Sequence, residues 1–251
     1  MSSFTTSLFI FGCAFGGALL GIAGHSLLPA DHLSSDTKGA VQLAMGLVAT
    51  TVALVLGLLI ASAKGFYDSQ NTEVMQAAAH IVLLDRILAH YGPEAEGVRV
   101  VLRSLMTRWV DLTWQRNDSA RARFEPNSLG GEVLLDKIQE LSPHNDMQRS
   151  LQSQALSSLF RLSETKWLLY TQKTSSVPTP MLAMLIFWLT LLFASFGLFV
   201  RPNATVVVSL FASALAVCGA IFLILDMYQP YGGFIRVSDA PMRAALAQLG
   251  Q

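Results

Sequence analysis

Charge is what this sequence has least of. Only 14% of its 251 residues are Asp, Glu, Lys or Arg, while 52% are hydrophobic, against about a quarter charged in an ordinary soluble domain. That balance excludes a soluble globular protein and points to a membrane protein. Cysteine is nearly absent. Cys13 and Cys218 both fall in apolar runs, so no disulfide framework and no thiolate metal spacing can be built, and both read as small buried residues. Catalytic motifs are missing too: there is no GxSxG, HExxH, Walker phosphate loop, paired CxxC or dinucleotide fingerprint. No enzyme activity, catalytic residue, metal or cofactor is therefore expected. β-branched alternation and hairpin dipeptides do not occur, and the fold class is all-α.

Long uncharged runs are what the sequence does have. Four windows, Phe4 to Leu28, Ala40 to Ala63, Met181 to Val200 and Ala204 to Leu225, contain no Asp, Glu, Lys or Arg, and a span needs about 20 such residues. The expected architecture is a four-span helical membrane protein with a helical cytoplasmic insert between spans two and three. Its parts are residues 1–63 (spans one and two), 64–180 (insert), 181–226 (spans three and four) and 227–251 (tail). The leader MSSFTTS has no basic residue and the first run exceeds a signal-peptide core of about 7 to 15 residues, so the first span reads as retained. Lys64, Lys173, Arg236 and Arg243 lie near span ends on one side, against Lys38 and Arg201 on the other. The positive-inside rule then puts both termini and the insert in the cytoplasm.

Within the insert, Val74, Ala77, Ile81, Leu84, Leu88 and Tyr91 recur at helical spacing from Phe66 to Tyr91. A second helix is expected from Pro93 to Arg116, with Val98, Leu102, Leu105, Trp109 and Leu112 inward and Arg99, Arg103 and Arg116 on a solvated face. A short helix follows near Glu132 to Leu141. A fourth, with Ser142 as cap and Pro143 in its first turn, reaches Tyr170. Four Lys and nine Arg balance 13 acids across the insert, which argues against a nucleic-acid partner. His25, Asp31, His32 and Asp36 could ligate a metal but lack a regular spacing, and read as solvated loop residues.

The second span carries a pattern. At about 100° per residue, Gln42, Gly46, Ala49, Thr50, Ala53, Gly57 and Lys64 share one small, weakly polar face, and Leu47, Leu54 and Leu58 lie elsewhere. Such a face either packs closely against another helix or lines a narrow, mostly apolar pore. Gly12, Gly16, Gly17 and Gly21 in the first span, and Ser209, Ala212, Ser213, Ala216 and Gly219 in the fourth, read as packing faces.

In the stretch LDMYQPYGGFIRVSDAPMRAAL, Asp226 is the first charge after the fourth span. Pro230 stops the helix, Gly232 and Gly233 permit a turn, and Arg236 can return toward Asp226. Ser238 or Asp239 can then cap a last short helix. The segment reads as a hook.

This tail, together with GLVATTVALVLGLLIASAKGFYDSQ and AAAHIVLLDRILAHYGPE, resembles the bacterial bestrophin-like membrane family that carries a domain-of-unknown-function label. The resemblance runs from about Val41 to the end. More distantly it reaches the bestrophins, pentameric chloride-permeable channels whose second span lines the pore. It implies a homo-oligomer, most simply a pentamer, in the bacterial inner membrane, with inorganic anions as permeant partners. The pore face would be the small face that runs from Gln42 to Lys64. The aromatic neck of bestrophins has no counterpart, because no aromatic occurs between Ala40 and Gly65. The alternative is a non-conducting, membrane-anchored scaffold that uses the insert to bind a partner.

Overall fold

The computed structural model describes residues 3–25, 35–114, 130–172, 177–200 and 203–250. All regular structure among them is helical: α1 (Ser3–His25), α2 (Ser35–Tyr91), a 3-10 turn (Pro93–Ala95), α3 (Glu96–Trp114), α4 (Gly131–Gln139), α5 (Asp146–Gln172), α6 (Thr179–Leu198), α7 (Ala204–Met227) and α8 (Ala240–Gln248). Two compact units divide the chain. One holds residues 1–66 and 176–228, the other 67–175 and 229–251.

In the first unit, α1, α6, α7 and the first part of α2 are each long and apolar enough to cross a membrane. The helix α1 packs against α6 and α7, and small residues set how closely. A methyl group at Gly21 would collide with the backbone carbonyl of Ala194, and one at Gly197 with that of Ala18. With no hydrophobic drive between helices in lipid, such backbone approach is a main source of attraction. Phe11 and Phe15 of α1 meet Phe211 of α7 edge to face, both at 5.4 Å. At the end of α1, His25 Nδ1 donates to the carbonyl of Leu198, 2.8 Å away. The remaining loop residues expected with it, Asp31 and His32, lie outside the described residues, as does the side chain of Asp36. Among the described residues there is no cluster of three or more metal-capable side chains.

Within the single chain, few of the small faces meet a neighbouring helix. Gly12 and Gly16 face open space rather than a neighbouring helix, and Ser209, Ala212, Ser213, Ala216 and Gly219 are all exposed. Only Gly17 and Gly21 of the expected packing glycines meet α6 within the chain. The boundary at residues 63/64 is crossed by a continuous helix. α2 runs without interruption for 57 residues, because Lys64 is a good helix former and Gly65 weakens a helix by only about 1 kcal/mol. It ends at Gly92, whose φ of 126° is open to glycine alone, followed by Pro93.

The second unit is built on the α2 residues beyond Phe66, α3, α4, α5, α8 and the tail. Its core includes Ile81, Leu84, Leu88, Leu102, Leu134, Ile138 and Met242, all buried. α5 starts at Asp146 rather than at Ser142 and Pro143. Asn145 Oδ1 accepts the backbone N–H of Gln148, and Gln148 Oε1 accepts that of His144, a reciprocal cap. Arg99, expected on a solvated face, is instead largely buried against Asp85.

Candidate functional site

The candidate pore face lies on the membrane-spanning part of α2. Three stripes run along it. Val52, Leu59 and Ala63 are buried in the unit's own core, with Met45, Val48, Val55 and Leu56 packed against them. About 120° around the helix from that stripe lies the small face. Gln42, Gly46, Thr50, Ala53, Gly57 and Lys64 are exposed there and Ala49 is half-buried. Side chains added at Gly46 or Gly57 would meet nothing within 4 Å. Beyond it comes a third stripe of Leu43, Leu47, Leu54 and Leu58, which are 64 to 80% exposed.

Both the small face and the leucine stripe are thus left open by the rest of the chain. In the most apolar window of α2 only 11% of residues are buried, against 33% in α1, 28% in α6 and 22% in α7. The small face is less polar than its composition implies. Thr50 Oγ1 donates to the carbonyl of Gly46 at 2.9 Å, so its hydroxyl is already satisfied by the helix. Ile60, which the sequence pattern did not flag, falls at the angle of Gln42 and is 46% exposed, so the face carries one bulky aliphatic group. Gln42, Gly46 and Ala49 also line a cavity against the end of α6.

The hook residues close on one another. Gly232 and Gly233 both donate their N–H to the carbonyl of Gln229, at 3.0 and 3.1 Å, and Val237 N–H donates to the carbonyl of Pro230 at 2.8 Å. Arg236 Nε donates to the carbonyl of Gly233 at 2.7 Å, and Ser238 Oγ accepts the N–H of Ala240 at 3.2 Å. Residues the sequence reading passed over anchor the hook. Tyr231 is buried, stands perpendicular to Trp114 with ring centres 5.4 Å apart, and donates its hydroxyl to Gln70 Oε1 at 3.0 Å. Trp114 Nε1 donates to the carbonyl of Val237 at 2.9 Å, and Tyr67 Oη to that of Arg236 at 3.2 Å. The signal was the tyrosine directly after Pro230, since a buried Tyr needs a polar partner. Asp226 is buried and belongs to the first unit, while Arg236 belongs to the second.

Four apolar helices of spanning length, a least-covered second span and a helical unit inserted between spans two and three define an all-α, four-span membrane protein. The chain belongs to the bestrophin-like family, since the bestrophin-like domain matches residues 12–242. Two solved structures, each a single-residue variant of a bacterial bestrophin homolog from Klebsiella pneumoniae, share its fold. Their TM-scores are 0.62 and 0.58 at 13% identity, covering 96% of this chain and 97% of theirs. No curated protein matches the sequence.

Proposed function

We propose that the chain assembles as a homo-oligomer, with five copies the expected number, into an anion-permeable channel of a bacterial inner membrane. The second span faces the axis, and the 64–180 segment and both termini lie in the cytoplasm. The observation that carries the reading is the exposure of α2, the span its own chain covers least. A helix so apolar and so little covered needs other surfaces, and lipid alone does not account for two open stripes of different character. The small stripe suits a narrow aqueous path. The leucine stripe suits acyl chains or the neighbouring copy.

In this arrangement Gln42, Gly46 and Ala49 flank the outer mouth, Thr50, Ala53 and Gly57 form the narrow part, and Lys64 sets a ring of positive charge at the cytoplasmic end. The ring would concentrate anions, and less so as salt rises. The middle conducts only where it is wide enough to stay wet. Membership of a channel family supports the reading, and no catalytic role is proposed. Ion flux in liposomes measured alongside mass by light scattering tests it. Flux from an oligomer supports the channel. An intact oligomer that passes no ion in either salt gradient removes it and leaves the non-conducting scaffold.

A further inference from the structure

A cavity of about 250 Å³ lies between the start of α2 and the end of α6, beside the residues the channel reading puts at the outer mouth, and that reading leaves its α6 side without a role. Its polar groups, Lys38, Gln42 and Ser195, are joined by no acidic side chain among the described lining residues. The rest of the wall is apolar, with Met45 and Ala49 on α2 facing Phe196 of α6 and Phe199 and Val200 just beyond its end. Gly46 keeps the space open.

The stretch of α2 that lines it is about as long as one leaflet is thick. From Lys38 to Ala49 the helix rises about 16 Å, roughly half of a hydrocarbon core about 30 Å thick. The headgroup level and the acyl level therefore coincide with the charged end and the apolar floor. A small hydrated anion would find one ammonium but nothing to bind over most of the wall. A fatty chain would cover that wall, while its phosphate met Lys38.

We propose that this cavity seats an anionic phospholipid, with its phosphate beside Lys38 and one acyl chain lying between Met45 and Ala49 of α2 and the rings of Phe196 and Phe199. The site goes beyond the channel reading. On the helical wheel Lys38 and Met45 sit toward the buried stripe, and Gln42, Gly46 and Ala49 form the edge of the small face nearest it, whereas Thr50, Gly57 and Lys64 lie about 100° from Lys38 and Met45, so the lipid would border the small face at its outer end. Basic pockets between spans hold lipid headgroups on the cytoplasmic side of membranes, and this one would use the same attraction on the outer side.

The test is native mass spectrometry of the full chain in detergent, titrated with phosphatidylglycerol, phosphatidylcholine or inorganic phosphate. The expected result is about fivefold tighter retention of phosphatidylglycerol than of phosphatidylcholine, the preference a single Lys near a headgroup supplies. Lys38→Gln should remove that preference and leave phosphatidylcholine retention unchanged. Ser195→Trp should fill the slot and weaken both lipids. Millimolar phosphate should displace neither. Equal retention of the two lipids by the native chain, or an undiminished preference in Lys38→Gln, overturns the proposal, and so does displacement by phosphate alone. Should Ser195→Trp fail to fold, Lys38→Gln still decides, since it leaves the α1–α6 contact intact. Retention is read without flux, so a chain that binds the lipid and conducts nothing loses the channel reading only.

Discussion

The guanidinium of Arg99 grips the carboxylate of Asp85 through two bonds, Nε to Oδ1 at 2.9 Å and Nη2 to Oδ2 at 3.1 Å. The side chains are only 12% and 2% exposed. Glu96 takes a further bond from Nη1, and the N–H of Gly250 reaches Asp85 Oδ2 at 3.4 Å. The hydrogen bond to Asp85 is the main reason the Arg99 pKa rises further. Removing one member of such a pair strands the other, at about 3 to 5 kcal/mol. Arg99→Ala should lose that much in denaturant unfolding. Arg149→Ala, whose partner Asp146 is solvent-exposed, should lose under about 1 kcal/mol. Asp85→Asn with Arg99→Gln should lose less than the sum of the single changes, and strict additivity would show no coupling.

Tyr231 gives the second unit an alkaline limit. Burial, and then the charge of Glu73, push its phenol well above the ordinary tyrosine value of about 10. In the unfolded chain the phenol ionises near 10, while in the folded chain it stays protonated. Above pH 10 the unfolded state therefore holds fewer protons, and stability falls as pH rises. Tyr231→Phe should melt lower at pH 7, where it lacks the bond to Gln70, yet show a flatter decline between pH 9 and 11. A parallel decline in both proteins would assign the alkaline loss elsewhere.

Close backbone contact between α1 and α6 should be intolerant of side chains. Gly197→Leu and Gly21→Val both drive atoms into the facing helix backbone and should lower stability by at least the 1 to 3 kcal/mol typical of overpacking. Gly16→Val, which meets open space, should leave the melting temperature of the isolated protomer within about 2 °C. Equal losses for all three would locate the α1–α6 contact wrongly.

For conduction, bulk should matter in the middle of α2 and charge at its cytoplasmic end. Ala53→Leu should block flux, Lys64→Glu should shift selectivity toward cations, and Leu54→Ala should change permeation little. If the small face is instead a packing surface, Ala53→Leu breaks the oligomer and Lys64→Glu leaves permeation as it was. Light scattering of each variant separates these outcomes.

Topology is testable with single cysteines in a background lacking Cys13 and Cys218. Probes at Ser119 and Gln251 should react with a membrane-impermeant thiol reagent only from the cytoplasmic side. Labelling of either from outside would reverse the proposed orientation.

The four spans were legible because an uncharged run of 20 residues has few other uses. So were the inward stripes of α2 and α3, whose positions from Val74 to Trp109 form the second core. What periodicity could not show is which partner a residue meets. Gly12 and Gly17 look alike in sequence, yet only Gly17 faces Thr190. Arg99 looked like any surface arginine because its acid lies 14 residues away on another helix. The cap of α5 was readable: the N-x-x-Q of Asn145 to Gln148 states it, and the neighbouring Ser142-Pro143 drew attention from it. Charge begins at Lys64, yet nothing there or at Gly65 obliges a helix to stop, and α2 runs on through both.

The pairing of α1 with α6 also has a consequence in time. His25 and its partner Leu198 are 173 residues apart. A ribosome adding about 5 to 20 residues each second needs roughly 9 to 35 s to make the intervening chain. Throughout that interval the glycine surface of the first span stands in the bilayer without the helix it was shaped to meet. Any insertion machinery that shelters this span should therefore release it only after the third has emerged.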